Sequence, residues 1–193
     1  NYVVTGSVVC DLQGNTWIPL LLPFDDRTMA VRRPDGTWTT FPVFVGGVKA
    51  TYLTDNSVDR SLAVDPFGNL WGVVPVVGPL GVVNLNNKGN APDSIADYHL
   101  TTNSGLPSNV IRTIVVDRDG DVWIGTDRGI AIVLDPSNPT RSGAIAGYKP
   151  LNGITVNAIA VDPLNQKWVG TNEGAVLLSR DGTQALAQYT VEN

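Results

Sequence analysis

Short apolar runs rich in β-branched residues alternate along this chain with turns rich in Asp, Asn, Gly and Pro. The clearest stretch begins at Ile114-Val115-Val116, ends that run on Asp117 and turns through Asp and Gly. It returns as Val122-Trp123-Ile124, turns again from Gly125 to Gly129 and closes with a third run, Ile130 to Leu134. This pattern predicts three short antiparallel strands joined by tight turns. Such a unit buries one face only against something like itself, so further copies are expected in the chain.

They are present. Asp11 and Trp17, Asp65 and Trp71, Asp117 and Trp123, and Asp162 and Trp168 each stand six residues apart. A second column sets the register: Tyr52, His99, Tyr148 and Tyr189 each precede an asparagine (Asn56, Asn103, Asn152, Asn193) by four residues. Each repeat then has four strands, the fourth carrying this aromatic. Successive aspartates lie 54, 52 and 45 residues apart, near the length of a four-stranded propeller blade. No segment sustains an apolar 3.6-residue period, which excludes a helical solenoid. The expected fold is all-β: a β-propeller of four four-stranded antiparallel blades, approximately 1–57, 58–104, 105–153 and 154–193, forming part of a larger propeller. Closure of four blades alone and pairing of two copies into a larger ring are the alternatives. In the first column, Cys10 stands where Val64, Val116 and Val161 stand, and is expected to be a small buried hydrophobe.

Composition narrows the function classes. The 193 residues are 42% hydrophobic and 16% charged, with a net charge of -5, leaving no basic stripe for nucleic acid or an anionic membrane. No apolar stretch is long enough to span a bilayer, so no membrane insertion is expected. The single cysteine cannot form an internal disulfide.

The stretch Val110 to Leu134, with its lead-in Leu106-Pro107-Ser108-Asn109, resembles the two-component regulator propeller repeat. That pattern is a hydrophobic strand ending in Asp, an Asp/Asn-Gly turn, Trp-Ile-Gly-Thr, and Gly followed by hydrophobic residues. The fourth copy matches well through Trp168-Val169-Gly170-Thr171 and Gly174. The second places Gly72 directly after Trp71, and the first has Pro19 where Gly is expected. The resemblance implies an extracytoplasmic bacterial module, periplasmic or on the outer surface. Many such members are the sensing half of hybrid kinases responding to oligosaccharides. Others resemble a propeller component of the type IX secretion machinery. No enzymatic activity, cofactor or metal is expected. The partners expected are a carbohydrate-like ligand or a protein, together with the rest of a longer propeller or a second copy.

The candidate chemistry is sparse. Asp117, Asp119 and Asp121 form an acidic cluster, but the same turn in other copies lacks the extra acids and no Glu supplies a bidentate ligand, so a turn is the preferred reading. The four matched tryptophans are read as inter-blade packing rather than a sugar platform, and Trp38, outside the column, as a freer aromatic. His99 is the only histidine and the chain has two glutamates, a poor set for propeller lyase or lactonase chemistry. Arg60 and Arg112, with Asn157 in the equivalent position of the fourth copy and Asn109 nearby, lead into first strands; they present donors near the channel mouth or cap strand ends. Two swollen apolar loops between second and third strands fall on the same face: Leu20, Leu21, Leu22 and Phe24 in the first copy, Val76 and Val77 in the second. They are expected either to contact a partner or to fold over the ring as a local cap.

Overall fold

A computed structural model describes residues 7–20, 27–45, 48–49, 62–74, 81–86, 98–147 and 149–190. The Asp-Gly and Asn-containing turns fold the apolar runs into four four-stranded antiparallel sheets, each in sequential strand order. Blade one holds β1 (Val9–Cys10), β2 (Thr16–Pro19), β3 (Met29–Arg32) and β4 (Trp38–Phe41). A separate hairpin, β5 (Phe44–Val45) with β6 (Val48–Lys49), follows. Blade two holds β7 (Leu62–Val64), β8 (Asn69–Val74), β9 (Gly81–Asn86) and β10 (Tyr98–Leu100). Blade three comprises β11 (Ile111–Val116), β12 (Val122–Thr126), β13 (Gly129–Val133) and β14 (Ile145–Gly147). Blade four comprises β15 (Val156–Val161), β16 (Lys167–Thr171), β17 (Gly174–Leu178) and β18 (Ala185–Tyr189). Among the described residues, no helix is long and apolar enough to cross a membrane.

The fourth strand of blade one departs from the tyrosine column. It is Trp38–Phe41, because the Asp35-Gly36 turn, with Gly36 at φ 85° and Thr37 N–H bonded to Asp35 Oδ1 at 2.8 Å, folds that segment directly back onto β3. Tyr52 lies outside the described residues.

The blades stack through three apolar clusters built alike. Trp17 packs with Leu62 and Leu70 of blade two. Trp71 packs with Ile114, Val122 and Ile124 of blade three. Trp123 packs with Ile159, Val169 and Leu178 of blade four. Trp17, Trp71 and Trp123 therefore lie on the trailing faces of their blades and are covered by the leading face of the next, where burying a ring of that size contributes most; Trp168, expected to pack in the same way, is instead 39% exposed and stacks on Tyr189, because no described blade covers its face. The inner strands β1, β7, β11 and β15 run side by side in chain order.

This arrangement corrects the reading of Cys10. It belongs to blade one's leading face, which no other described blade covers, so the thiol is exposed and Val64 and Val116 are more enclosed. Trp38, on the same face, is 57% exposed.

Candidate functional site

The Asp-to-Trp spacing has a structural cause at one end of the blades. In blade one, Asp11 Oδ1 accepts from the N–H groups of Gln13 and Asn15, and Oδ2 accepts from Asn15 Nδ2 at 2.8 Å and Trp17 Nε1 at 2.9 Å. Asp65 repeats this with Phe67, Asn69 and Trp71. The aspartate closes the turn while anchoring the indole that the next blade covers. Burial works against the Asp11 carboxylate, yet bonds from Asn15, Trp17 and Gln13 outweigh it and hold its pKa below the usual value.

Blade three varies this theme. Asp117 keeps its bonds to Asp119 N, Asp121 N and Trp123 Nε1, but the residue four positions on is Asp121, which as a carboxylate cannot donate as Asn15 and Asn69 do. Its place is taken from the next blade. Lys167 Nζ sits 2.6 Å from Asp117 Oδ2, with both side chains essentially inaccessible, and 4.5 Å from the Trp123 ring centroid. The same ammonium donates to the backbone carbonyls of Asn165 and Arg180. Asp119 in turn binds the Arg180 guanidinium and Asn165 Nδ2, and the Arg180 bond leads the causes holding its pKa down. Asp121 is pushed up, first by burial and then by Asp117 and Asp119. The acidic turn is thus matched by two cations and an amide of blade four. Among the described residues, no group of three or more His, Cys, Asp or Glu side chains is placed to hold a metal. Lys167 occupies the column of Leu70 and Val122, and a lysine in an apolar column opposite an Asp-for-Asn change is the signal that sequence reasoning missed.

The other end of the inner strands carries unspent polar groups. Pairing of β11 with β12 shifts register between Ile111 and Thr113, and pairing of β15 with β16 shifts between Val156 and Ala158. Arg112 and Asn157 are therefore the extra residues of equivalent bulges, a device that re-aims a side chain. Asn157 is exposed. Arg112 Nε, Thr113 Oγ1 and Asp127 Oδ1 are buried atoms without a hydrogen-bond partner. They belong to neighbouring strand ends, because Ile111 pairs with Thr126. Thr126 itself is structural: its hydroxyl donates to Gly129 O at 2.9 Å and accepts from Arg128 N–H, as Thr171 does with Gly174 and Glu173.

Asn109 plays a different part: its Oδ1 accepts from Thr102 N–H at 2.8 Å, tying the Leu-Pro-Ser-Asn lead-in to the preceding turn. Leu20 is partly buried, and its N–H donates to Thr28 O at 2.9 Å, extending the β2–β3 ladder. Arg60, Leu21, Leu22, Phe24, Val76 and Val77 lie outside the described residues, as does the side chain of His99. Between the inner strands runs an open groove of about 510 Å³, walled by Val9, Cys10, Ala63, Val64, Ile114 and Val116.

Residues 105–128 match the family model described as two component regulator propeller. One copy of that repeat thus spans the lead-in and first two strands of blade three. No curated protein matches the chain. Among solved structures, this propeller is similar to PorZ of Porphyromonas gingivalis, described as an essential bacterial surface component of the type IX secretion system, at 26% identity and a TM-score of 0.70 over 98% of this chain and 27% of that one. It is similar to the extracellular domain of BT3049 from B. thetaiotaomicron, described as a hybrid two component system, at 19% identity and a TM-score of 0.69 over 99% of this chain and 23% of that one. It also shares its fold with the virginiamycin B lyase of Staphylococcus aureus, at 15% identity and a TM-score of 0.64 over 98% of this chain and 56% of that one. The chain spans about a quarter of the length of the first two.

Proposed function

We propose that these blades belong to an extracytoplasmic, non-enzymatic propeller that recognises an anionic, carbohydrate-like ligand at the channel mouth marked by Arg112 and Asn157. The observation that carries this reading is the buried Arg112 Nε, which has no partner and stands in a bulge that recurs at the equivalent position of blade four. A buried guanidinium donor left unsatisfied costs free energy, and a ligand oxygen at that point offsets the cost. Thr113 Oγ1 and Asp127 Oδ1 are further buried atoms without a partner at the same strand ends. Arg60 stands five residues before Asp65 as Arg112 stands before Asp117, and on that sequence equivalence it is proposed as a second donor. The extracytoplasmic placement is supported by PorZ, described as a bacterial surface component, and by BT3049, of which the extracellular domain was solved.

The test is calorimetric titration of the full-length protein with a sulfated hexasaccharide and its desulfated counterpart. Saturable binding of the sulfated probe, lost in Arg60→Ala with Arg112→Ala while the melting temperature holds, is the expected result. Equal binding by the double variant, or none by the native protein, sinks the proposal.

A second reading, a protein-contacting scaffold of a surface secretion assembly, is favoured by the 26% identity to PorZ over nearly the whole chain. It predicts that replacing Leu20, Leu21 and Leu22 with serine releases a protein partner in pull-downs without altering sugar binding.

A further inference from the structure

The turn between β11 and β12 differs from its equivalents in blades one and two by one donor. There the fourth residue after the aspartate is Asn15 or Asn69, whose Nδ2 donates to the aspartate Oδ2 at 2.8 Å. In blade three it is Asp121. Its N–H still donates to Asp117 Oδ1, at 3.0 Å against 2.9 Å in the other two, so the turn keeps the shape that brings an asparagine amide onto Oδ2. As a carboxylate Asp121 cannot donate; protonated, it carries an O–H donor on a stem of the same length. Oδ2 is meanwhile held by Trp123 Nε1 and by the Lys167 ammonium of blade four.

Three elements bring charge to Asp121: its own turn with Asp117 and Asp119, β16 with Lys167, and the β17–β18 turn with Arg180 and Asp181. Arg180 is engaged by Asp119, and Arg118 of the same turn bonds the Asp162 carbonyl. Blade two meets the turn with uncharged Pro66, beside Gly120. Burial, then Asp117 and Asp119, outweigh Lys167 and push the Asp121 pKa above 3.8, whereas Asp119 and Asp181 are held below it. An open cleft of about 440 Å³, walled by Asp119, Asp121, Asp181 and Thr183, gives the proton a route from solvent.

We propose that Asp121 is a proton-operated donor that takes the place of Lys167 at Asp117 Oδ2, so that acid exchanges a tie between blades three and four for a tie within blade three's own turn. The proton comes from water and adds to an Asp121 carboxylate oxygen. The new O–H donates to Asp117 Oδ2 as Asn15 and Asn69 donate to Asp11 and Asp65. Trp123 keeps its bond to the same oxygen, and the Lys167 ammonium keeps the carbonyls of Asn165 and Arg180. The sign follows from linkage. A carboxyl with a raised folded pKa binds more protons folded than unfolded, so the cost of the Asp121 charge is present above that pKa and is relieved as pH falls through it. Lys167 is therefore needed at neutral pH and dispensable in acid.

The experiment measures the drop in urea midpoint caused by Lys167→Met in the full-length protein, at neutral pH and about one pH unit below the Asp121 titration, which its carboxyl-carbon shift locates. In acid the drop is expected to shrink to less than about half its neutral value. An Asp121→Ala background removes the charge and supplies no donor; there the drop is expected to be equal at both pH values and larger than the native drop in acid. A Lys167→Met protein that folds only in the acid sample gives the same answer as a shrinking drop. An Asp121 titration at or below 3.8 overturns the proposal, as does a native drop that does not shrink or a Lys167→Met protein that folds in neither sample. So does a drop in the Asp121→Ala background as small as the native one in acid, which would make the lysine a partner of the Asp121 charge alone.

Discussion

Lys167→Met removes the cation that joins blades three and four, and the structure sets the expected size of the effect. Two unit charges 2.6 Å apart attract by about 6 kcal/mol at an effective dielectric of about 20, a gain that desolvation largely opposes. Truncating one partner is a different matter, because the Asp117 carboxylate stays buried and Trp123 is the one side chain left donating to its Oδ2. We expect a loss of about 3–5 kcal/mol. Adding Asp121→Asn to that variant restores the donor that Asn15 and Asn69 supply in blades one and two at 2.8 Å. A hydrogen bond to a charged acceptor is worth about 1.5–3 kcal/mol, so recovery of that order is expected. In the native background the same change also deletes a carboxylate attracted by Lys167, so Asp121→Asn gains less there. The assay is urea unfolding at pH 7 for the four proteins of the double-mutant cycle. A Lys167→Met cost below about 1 kcal/mol, or an Asp121→Asn effect equal in both backgrounds, would refute the idea that lysine replaces the missing asparagine donor.

Two further outcomes rest on single positions. Gly182→Ala places a methyl 2.4 Å from the Trp123 ring at a left-handed φ, and is expected to cost about 1–3 kcal/mol, read as a lower urea midpoint accompanied by changed Trp123 emission. Asp181 is held down to about 2 by the Ser179 hydroxyl and then by Thr183 N–H and Oγ1. With its folded pKa depressed, its contribution is complete above the unfolded value of 3.8 and is lost as pH falls toward about 2. Carboxyl carbon shifts should titrate there, and Ser179→Ala should move the midpoint upward.

The blade count, the strand order of blades three and four and the packing role of Trp17, Trp71 and Trp123 were legible in the sequence because each rests on a local period: six residues from Asp to Trp, two tight turns, alternating faces; Trp168 was read the same way but is exposed. Blade one's fourth strand was not, since the tyrosine column pointed past the Asp35-Gly36 hairpin that forms first along the chain. Cys10 misled for a different reason. A column predicts which face a residue occupies, and burial depends on whether another blade covers that face. At the ends of the inner strands, Arg112 and Asn157 were marked by their equivalent positions, but Thr113 and Asp127 were hidden: one lies in an apolar-looking strand, the other in a turn whose Thr and Gly already explain it.

The departures from the repeat carry more information than its agreements. Asp121 in place of asparagine, taken alone, is a half-buried like-charge cost beside Asp117; Lys167 in place of an aliphatic residue, taken alone, is a buried cation. Each is unfavourable in its own blade and the two are favourable across the boundary, where one supplies the charge and donor that the other removed. The same holds for Asp119 with Arg180, and for Asn165, which replaces the turn glycine at φ 61° and uses its side chain to hold Arg118 N and Asp119. These pairs make the blade three–four boundary specific, because blade four set against blade one or two would meet Asn15 or Asn69 already occupying the carboxylate that Lys167 needs. In a repeat protein whose apolar faces are nearly interchangeable, polar exceptions of this kind fix the order in which the blades assemble.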